Sequence, residues 1–566
     1  MSAVVHCLRQ PFLLICLITL SAACAASPER DQGNQDTDTG AVASAHPLAS
    51  KAGREVLAEG GNAFDAAVAM GAAINVVEPF GSGIGGGGFW LMHDAGADDT
   101  VMVDGRETAP GEATADMFID EDGEVDTELS REGPLAAAIP GQPAALVHIA
   151  ENHATLPLER LLQPAIEYAR EGFEVGPSYV RGVEATQDKL RAHGAAEVFM
   201  DDGEVPEEGW VLRQPELAET LERIAADGHA GFYDSELTDA LVDYVRDAGG
   251  IWQREDFENY QIVERDPIVS EYRDATLTSA APPSSGGVVL ATTLNILEGW
   301  DLDELDEAER VHLISEALRR TYRDRGAYLG DPDFVDMPIE RLVHPHYAAG
   351  LRAGIHPQKA TPSDLLPPVA TGRDAPSTTH FSVVDADGNR VGATLTINFW
   401  FGSGVLAGDT GVLLNNEMDD FASAPGDADG FGLVEGEANR IEPGKRMLSS
   451  MTPTFIEDER GVAVLGSPGG SRIITSVLTG ILEYLDGGDA RSMVERPRFH
   501  HQYRPDEISY EEDALSEEAI EALRDKGHRV EKRDRRWGNV QVVIDWLDDG
   551  LEAASDPRGE GEPDVY

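Results

Sequence analysis

The sequence predicts an α+β protein, and three observations carry that prediction. Two alternating apolar runs, Thr379–Val384 and Val391–Ile397, flank the turn dipeptide Asp387-Gly388 and read as an antiparallel hairpin. Upstream, helical spacing marks Leu48–Glu59, Ala63–Val77 and much of the stretch between Leu158 and Val245. Apolar residues make up 41% of the 566-residue chain, sufficient for a real core, so the high charge does not imply disorder.

In chain order, residues 1–26 read as a secretion signal. Arg9 supplies a modest positive start, Phe12 to Leu20 a short apolar run, and Ser21-Ala22-Ala23-Cys24-Ala25-Ala26 the small residues of a cleavage site. The apolar run is too short for a comfortable membrane span. All three cysteines, Cys7, Cys16 and Cys24, lie in this segment, so a mature chain cut here has no disulfide and no cysteine chemistry. The signal also fits a lipoprotein pattern in which Cys24 becomes the lipidated first residue, beside ordinary cleavage near Ala23 or Ala26. Either reading sends the protein across the inner membrane to the periplasm. Residues 27–40 are polar and acidic and read as a solvated spacer.

Pro47 suits the first turn of a helix, Gly60-Gly61 stops it, and Asn62 caps the next one. Pro79 and Gly81 then break the chain into a glycine-rich loop. Gly81-Ser82-Gly83-Ile84-Gly85-Gly86 matches the dinucleotide fingerprint in letters only. That fingerprint needs a strand before it and a helix after it; here a helix precedes and Phe89 to Met92 reads as a strand. Close backbone packing is the better use of these glycines. The helical patterns between Leu158 and Val245 read as helices covering sheets. His500-His501, adjacent on a strand, point to opposite faces, and no His-Glu-x-x-His or Cys-x-x-Cys accompanies them. No metal and no cofactor are expected.

With 44 basic against 103 acidic residues the formal net charge is −59, and the acids are spread along the whole chain. Nucleic acid and anionic membrane surfaces are therefore excluded as natural partners. Only six of the bases are lysine. Scattered carboxylates with scarce lysine look like the surface of a protein from a salt-rich habitat.

The most telling short run is Pro376-Ser377-Thr378-Thr379-His380-Phe381. Read alone it is an ordinary strand start. If the Ser377–Thr378 bond breaks, however, Thr378 gains a free α-amine beside its own hydroxyl, and that amine can take the hydroxyl proton. Downstream follow Asn398, Asn415-Asn416-Glu417-Met418-Asp419-Asp420, Lys445-Arg446-Met447-Leu448-Ser449-Ser450 and Gly466-Ser467-Pro468-Gly469-Gly470-Ser471-Arg472. Upstream stand Glu59-Gly60-Gly61-Asn62-Ala63-Phe64-Asp65-Ala66-Ala67, Asp104-Gly105-Arg106-Glu107, Pro282-Pro283-Ser284-Ser285-Gly286-Gly287 and Gly330-Asp331-Pro332-Asp333-Phe334. Ala554-Ser555-Asp556-Pro557-Arg558 closes the series. In this order, from about Ala41 to Gly559, the chain resembles the γ-glutamyltransferases (glutathione hydrolases), which are N-terminal-nucleophile enzymes.

The resemblance implies an αββα sandwich of two packed antiparallel sheets covered by helices. It further implies one chain cut into a large subunit, residues 41–377, and a small catalytic subunit, residues 378–566, which stay together as a heterodimer. Thr378 would be the nucleophile, with Thr396 steadying it. A two-residue loop at Asp387-Gly388 puts Thr396 opposite Thr379, one step out of register with Thr378. Gly469 and Gly470 would hold the oxyanion of the tetrahedral intermediate. Arg106 would grip the α-carboxylate of a γ-glutamyl group, joined by Ser449 and Ser450. Asn398, Glu417 and Asp420 would surround its ammonium. Phe431 stands in the lid loop where many members carry tyrosine. Glutathione and other γ-glutamyl compounds are the implied donors, with water or acceptor amino acids and dipeptides taking the acyl group. Two alternatives remain: a glutaryl or cephalosporin-type acylase of the same architecture, and an uncleaved extracytoplasmic binding protein.

Overall fold

A computed structural model describes residues 40–366, 378–423 and 436–566. Two antiparallel sheets lie at its centre. The seven-stranded sheet runs, edge to edge, through Glu562–Val565, Gly40–Ser44, Thr379–Asp385, Arg390–Thr396, Gly87–Asp94, Asp99–Gly105 and Val263–Arg265. The six-stranded sheet runs through Gly550–Ser555, Gln541–Trp546, Gly461–Gly466, Thr454–Asp458, Ala275–Ser279 and Ile268–Tyr272.

The period of two along each strand divides the core into layers. On the first sheet Ala41, Ala43, Phe89, Leu91 and Val384 pack with Phe455, Ile456, Val464 and Val542 of the second sheet. Their neighbours Val42, Trp90, Met92, Phe381 and Val383 pack instead with the helices Ala63–Val77, Leu158–Glu171 and Pro215–Asp227. Helices Gly286–Leu297, Glu307–Tyr328 and Ile473–Leu485 cover the second sheet. The architecture is αββα. Because both faces of the first sheet are covered, its strands carry near-continuous apolar and small residues. At the contact of the two sheets lies His380, whose ring leaves no room for a Cβ at Gly466: one there would stand 2.2 Å from the ring. Burial pushes His380 down to about 3, so it stays neutral, bonded to Thr394 and Ser382.

The helix Ala63–Val77 begins where Asn62 caps it, its side chain accepting from the Asp65 N–H at 2.8 Å while Asp65 accepts from the Asn62 N–H. The glycine loop after it is a packing device. A Cβ at Gly85 would meet the Leu413 carbonyl oxygen at 2.1 Å, and one at Gly86 the Thr396 carbonyl oxygen at 2.0 Å.

Two expectations are corrected. Gly40, assigned to the spacer, already belongs to the strand Gly40–Ser44, which pairs with the edge strand Glu562–Val565. An edge strand of Glu, Pro, Asp and Val shows no apolar alternation, and proline and charge are how edges are kept from further pairing. The hairpin loop has three residues rather than two. Arg390 pairs with Val384, and the Asp385 N–H donates to the Asn389 carbonyl, leaving Ala386, Asp387 and Gly388 in the loop, with Gly388 at φ 88°. The Asp385 carboxylate decides this by accepting from the N–H groups of Asp387 and Asn389 and from the Asn389 side chain. After the glycine pair Gly469-Gly470, a 3₁₀ turn at Gly470–Arg472 leads into the helix Ile473–Leu485. The segment 1–39 with Cys24, Ser377 at the expected cut, and Phe431 of the expected lid lie outside the described residues.

Candidate active site

The one-residue change in the hairpin loop has a direct chemical result. With the register set by Leu395 opposite Thr379, the next pair outward is Thr396 and Thr378. Their hydroxyl oxygens lie 3.3 Å apart. Thr396 Oγ1 also accepts from the Asn398 N–H at 2.8 Å, so its own proton is available to Thr378. Asn398 sits at φ 72°, one of the few non-glycine residues in the left-handed region, and its side chain donates to the Asn416 carbonyl. Thr378 itself has φ 147°, an unfavourable value for a β-branched residue.

Asn415 and Asn416 aim the acidic turn that follows them. Asn415 donates to the carbonyls of Gly85 and Ala138 and accepts from the Glu417 N–H, tying the turn to the glycine loop. In the 3₁₀ turn Glu417–Asp420, Asp419 faces away to Ser130 and Arg131, whereas Glu417 and Asp420 both reach Arg106. Arg106 is buried, with its Nε donating to the Met447 carbonyl and Glu107 3.5 Å from its guanidinium.

This cluster is unbalanced. Three carboxylates, Glu107, Glu417 and Asp420, surround one guanidinium. Burial pushes all three carboxyls up, Glu107 to about 7 and Glu417 well above the usual range, against the pull of Arg106. Burial lowers the Arg106 guanidinium, but the surrounding carboxylates outweigh it and hold it fully charged. One oxygen each of Glu417 and Asp420, and both of Glu107, accept no hydrogen bond among the described residues.

Opposite stands the Ser449-Ser450 corner. Ser449 is clamped by backbone: its N–H donates to the Pro283 carbonyl, and its carbonyl accepts from the N–H and hydroxyl of Ser285. The Ser450 hydroxyl has no hydrogen-bond partner among the described residues. Gly469 and Gly470, at φ 133° and 57°, make a turn only glycine tolerates. Arg106, Thr378, Thr396, Asn398, Glu417, Asp420, Ser449, Ser450 and Gly470 line one pocket, while Gly469 and Glu107 do not. Its open space is only about 20 Å³.

Sequence reasoning missed two members. Glu107 lay inside the quoted Asp104-Gly105-Arg106-Glu107 run without a role. Arg325 lines the pocket from the helix Glu307–Tyr328, its Nε donating to Ser285 Oγ at 2.9 Å. Its one signal was unusual: Arg319, Arg320 and Arg325 are all buried on one helix. His500 and His501 are not a metal pair, since His500 bonds Thr475 and Gln502 while His501 accepts from the Tyr503 N–H. A closer grouping, His312, Glu316 and His528, was not foreseen, but Glu316 is already held by Arg319, Arg320 and Thr361.

Comparison with known proteins is decisive at this point. The family model for gamma-glutamyltranspeptidase matches residues 49–566. The chain belongs to the gamma-glutamyltranspeptidase family. One relative in it, the glutathione hydrolase proenzyme of Pseudomonas sp. (strain A14), is 44% identical over 499 residues, covering 87% of this chain and 86% of its own. The family also reaches the acylase ACY 1 proenzyme of Pseudomonas sp. (strain V22), 38% identical over 93% of both chains. Among solved structures, cephalosporin acylase from Bacillus halodurans superimposes with a TM-score of 0.83 at 26% identity, covering 95% of this chain and 99% of that one. The protein is thus an enzyme of this family, with the N-terminal-nucleophile fold.

Proposed function

We propose that the protein is a self-processed γ-glutamyltransferase and glutathione hydrolase with Thr378 as its nucleophile. The observation that carries this reading is the charge pattern of the pocket: a guanidinium beside surplus carboxylates, next to a threonine pair. A γ-glutamyl group ends in an α-carboxylate and an α-ammonium, the same two charges the pocket now satisfies internally. It enters by exchange, its carboxylate replacing Glu417 and Asp420 on Arg106 and gaining the hydroxyls of Ser449 and Ser450. Its ammonium then takes the vacated acids together with Asn398. The exchange replaces the two acid pairs of Arg106 with one to the ligand carboxylate and gives both vacated acids to the ammonium, so it avoids leaving a buried charge unpaired.

The chemistry follows in two rounds. In maturation Thr378 Oγ1 attacks the Ser377 carbonyl; this N-to-O shift breaks the peptide C–N bond and frees the α-amine, and water then hydrolyses the ester, restoring the Thr378 hydroxyl and leaving Ser377 with a carboxylate. The strained φ at Thr378 favours release. In turnover the amine takes the hydroxyl proton, Oγ1 attacks the γ-carbonyl, and the N–H groups of Gly469 and Gly470 receive the oxyanion. Thr396 donates to the nucleophile oxygen as it gains charge. Water or an acceptor amine then releases the γ-glutamyl group. The signal sequence and the acid-rich, lysine-poor composition go with a periplasmic enzyme, soluble or lipid-anchored at Cys24, working in salt.

The acylase relatives favour a second reading, with glutaryl or cephalosporin-type substrates. Such acyl groups lack the ammonium and would bury Glu417 and Asp420 against a methylene chain. Two measurements decide. Purified protein should run as two bands on denaturing electrophoresis, and Thr378→Ala as one inactive band; a variant that matures normally removes Thr378 from its role. γ-Glutamyl anilide should be preferred over des-amino glutaryl anilide; equal turnover of the two would hand the case to the acylase reading.

A further inference from the structure

Away from the active site, one group of side chains carries the donor chemistry of a metal site. His148 lies on the helix Gln142–Asn152, His153 follows that helix as its C-terminal cap, and Glu264 is the middle residue of the edge strand Val263–Arg265. Both imidazoles turn Nε2 to the same carboxylate oxygen, Glu264 Oε1, His148 at 2.8 Å and His153 at 3.4 Å. Each of the three residues offers one ligand atom, and these atoms all lie within 4.8 Å of one another. None of the three lines the pocket at Arg106.

Three features set this group apart from an ordinary surface ion pair. Glu264 pairs with no arginine or lysine among the described residues, only with the two histidines. The buried group His312, Glu316 and His528 is the contrast, since there Arg319, Arg320 and Thr361 already hold the acid. Access is the second feature. The side chains of His148, His153 and Glu264 are 28%, 22% and 44% exposed, so a hydrated ion can reach them and keep a water. The third is a fixed frame. The His153 N–H donates to the Ile149 carbonyl, its own carbonyl accepts from the Asn62 side chain, and its ring packs on Phe64. Glu264 is set by the pairing of its strand with Met102–Asp104, and the adjacent Arg265 is tied to Asp104 and Asp333.

The spacing suits a small tetrahedral ion. Zinc bonds imidazole nitrogen and carboxylate oxygen at about 2.0–2.2 Å, which sets neighbouring ligand atoms about 3.3–3.6 Å apart. His153 already stands at that distance from Glu264 Oε1, and His148 has to withdraw by only about 0.5 Å. Calcium and magnesium want a shell of oxygens, and only one of the three residues supplies any. Imidazole suits zinc, copper and nickel. We infer that His148, His153 and Glu264 bind a divalent transition ion of the zinc class, with water in the fourth position, and that the ion staples the helix to the edge of the seven-stranded sheet. That edge strand is three residues long, and its neighbour Asp99–Gly105 runs directly into Arg106. The staple therefore steadies the strand pair that leads to the substrate site and takes no part in the chemistry there.

So acidic a protein collects cations without selection, so zinc is titrated into the metal-stripped enzyme by calorimetry in excess calcium and magnesium, which occupy the scattered carboxylates. One zinc per chain should bind. His148→Ala, His153→Ala and Glu264→Ala should each weaken it by about 100-fold, since losing even an outer-sphere partner costs about 10–100-fold. His344→Ala, in the exposed pair of His344 and His346, should leave it unchanged. Saturating zinc should raise the Tm of the unmutated enzyme by a few degrees and leave that of Glu264→Ala level. Anomalous diffraction from zinc-soaked crystals of the unmutated enzyme should place the ion on the three side chains, a readout that needs no variant. No selective zinc binding, binding that the three variants keep, or a Tm that bound zinc leaves unmoved overturns the inference.

Discussion

Two buried charge clusters of similar size sit in this molecule, and they are built on different principles. Near the C-terminus Arg498 and Arg558 face Glu511 and Asp556, two cations against two anions. Arg498 donates to Asp556 and to the carbonyls of Trp537 and Val494; Arg558 donates to both acids and to the carbonyls of Val494 and Arg496. Backbone N–H groups of Arg498, Trp537 and Val540 complete the acids. Around Arg106 the count is three carboxylates to one guanidinium, and several oxygens accept nothing among the described residues. Even with Arg325 included, anions lead. A balanced cluster whose acids are all bonded holds chain segments together, here those near the C-terminus. An unbalanced one has valences left over for a ligand, and in an active site that shortage of stability is the means of recognition.

The comparison can be broken by substitutions at its two centres. Arg106→Ala or Asp420→Ala removes a partner the ligand needs, costing about 2–5 kcal/mol of transition-state binding. The expected loss in kcat/KM for γ-glutamyl substrates is about 30-fold or more, while self-cleavage, which uses no external glutamate, survives better. If either variant cleaves poorly yet turns over normally, the cluster belongs to maturation instead. Asp556→Asn strands Arg498 in the balanced cluster. It should lower stability by about 3–5 kcal/mol, read from the denaturation midpoint, with turnover of the folded fraction near that of the unmutated enzyme. A level midpoint would show that this cluster does not hold the C-terminal segment.

Acid should blur the two clusters in a defined direction. Glu107, Glu417 and Asp420 have raised pKa values in the empty site, so their charge is complete only above those values and falls as the pH drops through them. For Glu107 that value is about 7, and burial raises Glu417 well above the usual carboxylate range as well. An ammonium binds the ionised form. Preference for γ-glutamyl over glutaryl anilide should therefore be largest above those values and shrink several-fold as the pH falls through them. Taking the ratio cancels titration of the Thr378 amine. A ratio independent of pH would mean the acids do not meet the ammonium.

The smallest effect concerns the surface. An excess of 59 negative charges opposes compaction at low ionic strength. The Debye length shrinks from about 30 Å at 0.01 M salt to about 3 Å at 1 M. The Tm should rise by several degrees from dilute buffer to molar NaCl, with activity retained, since the enclosed Arg106 cluster is screened less than the surface. A flat or falling Tm with activity lost would remove the salt-habitat reading and leave the catalytic assignments intact.

What the sequence by itself determined is what depends on local chemistry and on ordered motifs. The cap at Asn62, the helix Ala63–Val77, the hairpin strands around Gly388 and the packing role of Gly85 and Gly86 all follow from short-range rules. The family, and through it the αββα fold, followed from motifs in order along the chain. The tertiary structure decided the rest. Whether Thr396 meets Thr378 turned on one loop residue, set by hydrogen bonds to Asp385 that turn propensity does not encode. That Arg106 rests on Glu417 and Asp420, more than 300 positions away, could not be read from either segment. Nor could the helix arginine Arg325, nor the clamp of the Pro283 carbonyl on Ser449. Spacing along a chain fixes periodicity and turns, but the sum of charges at a point depends on which distant segments the fold brings to it.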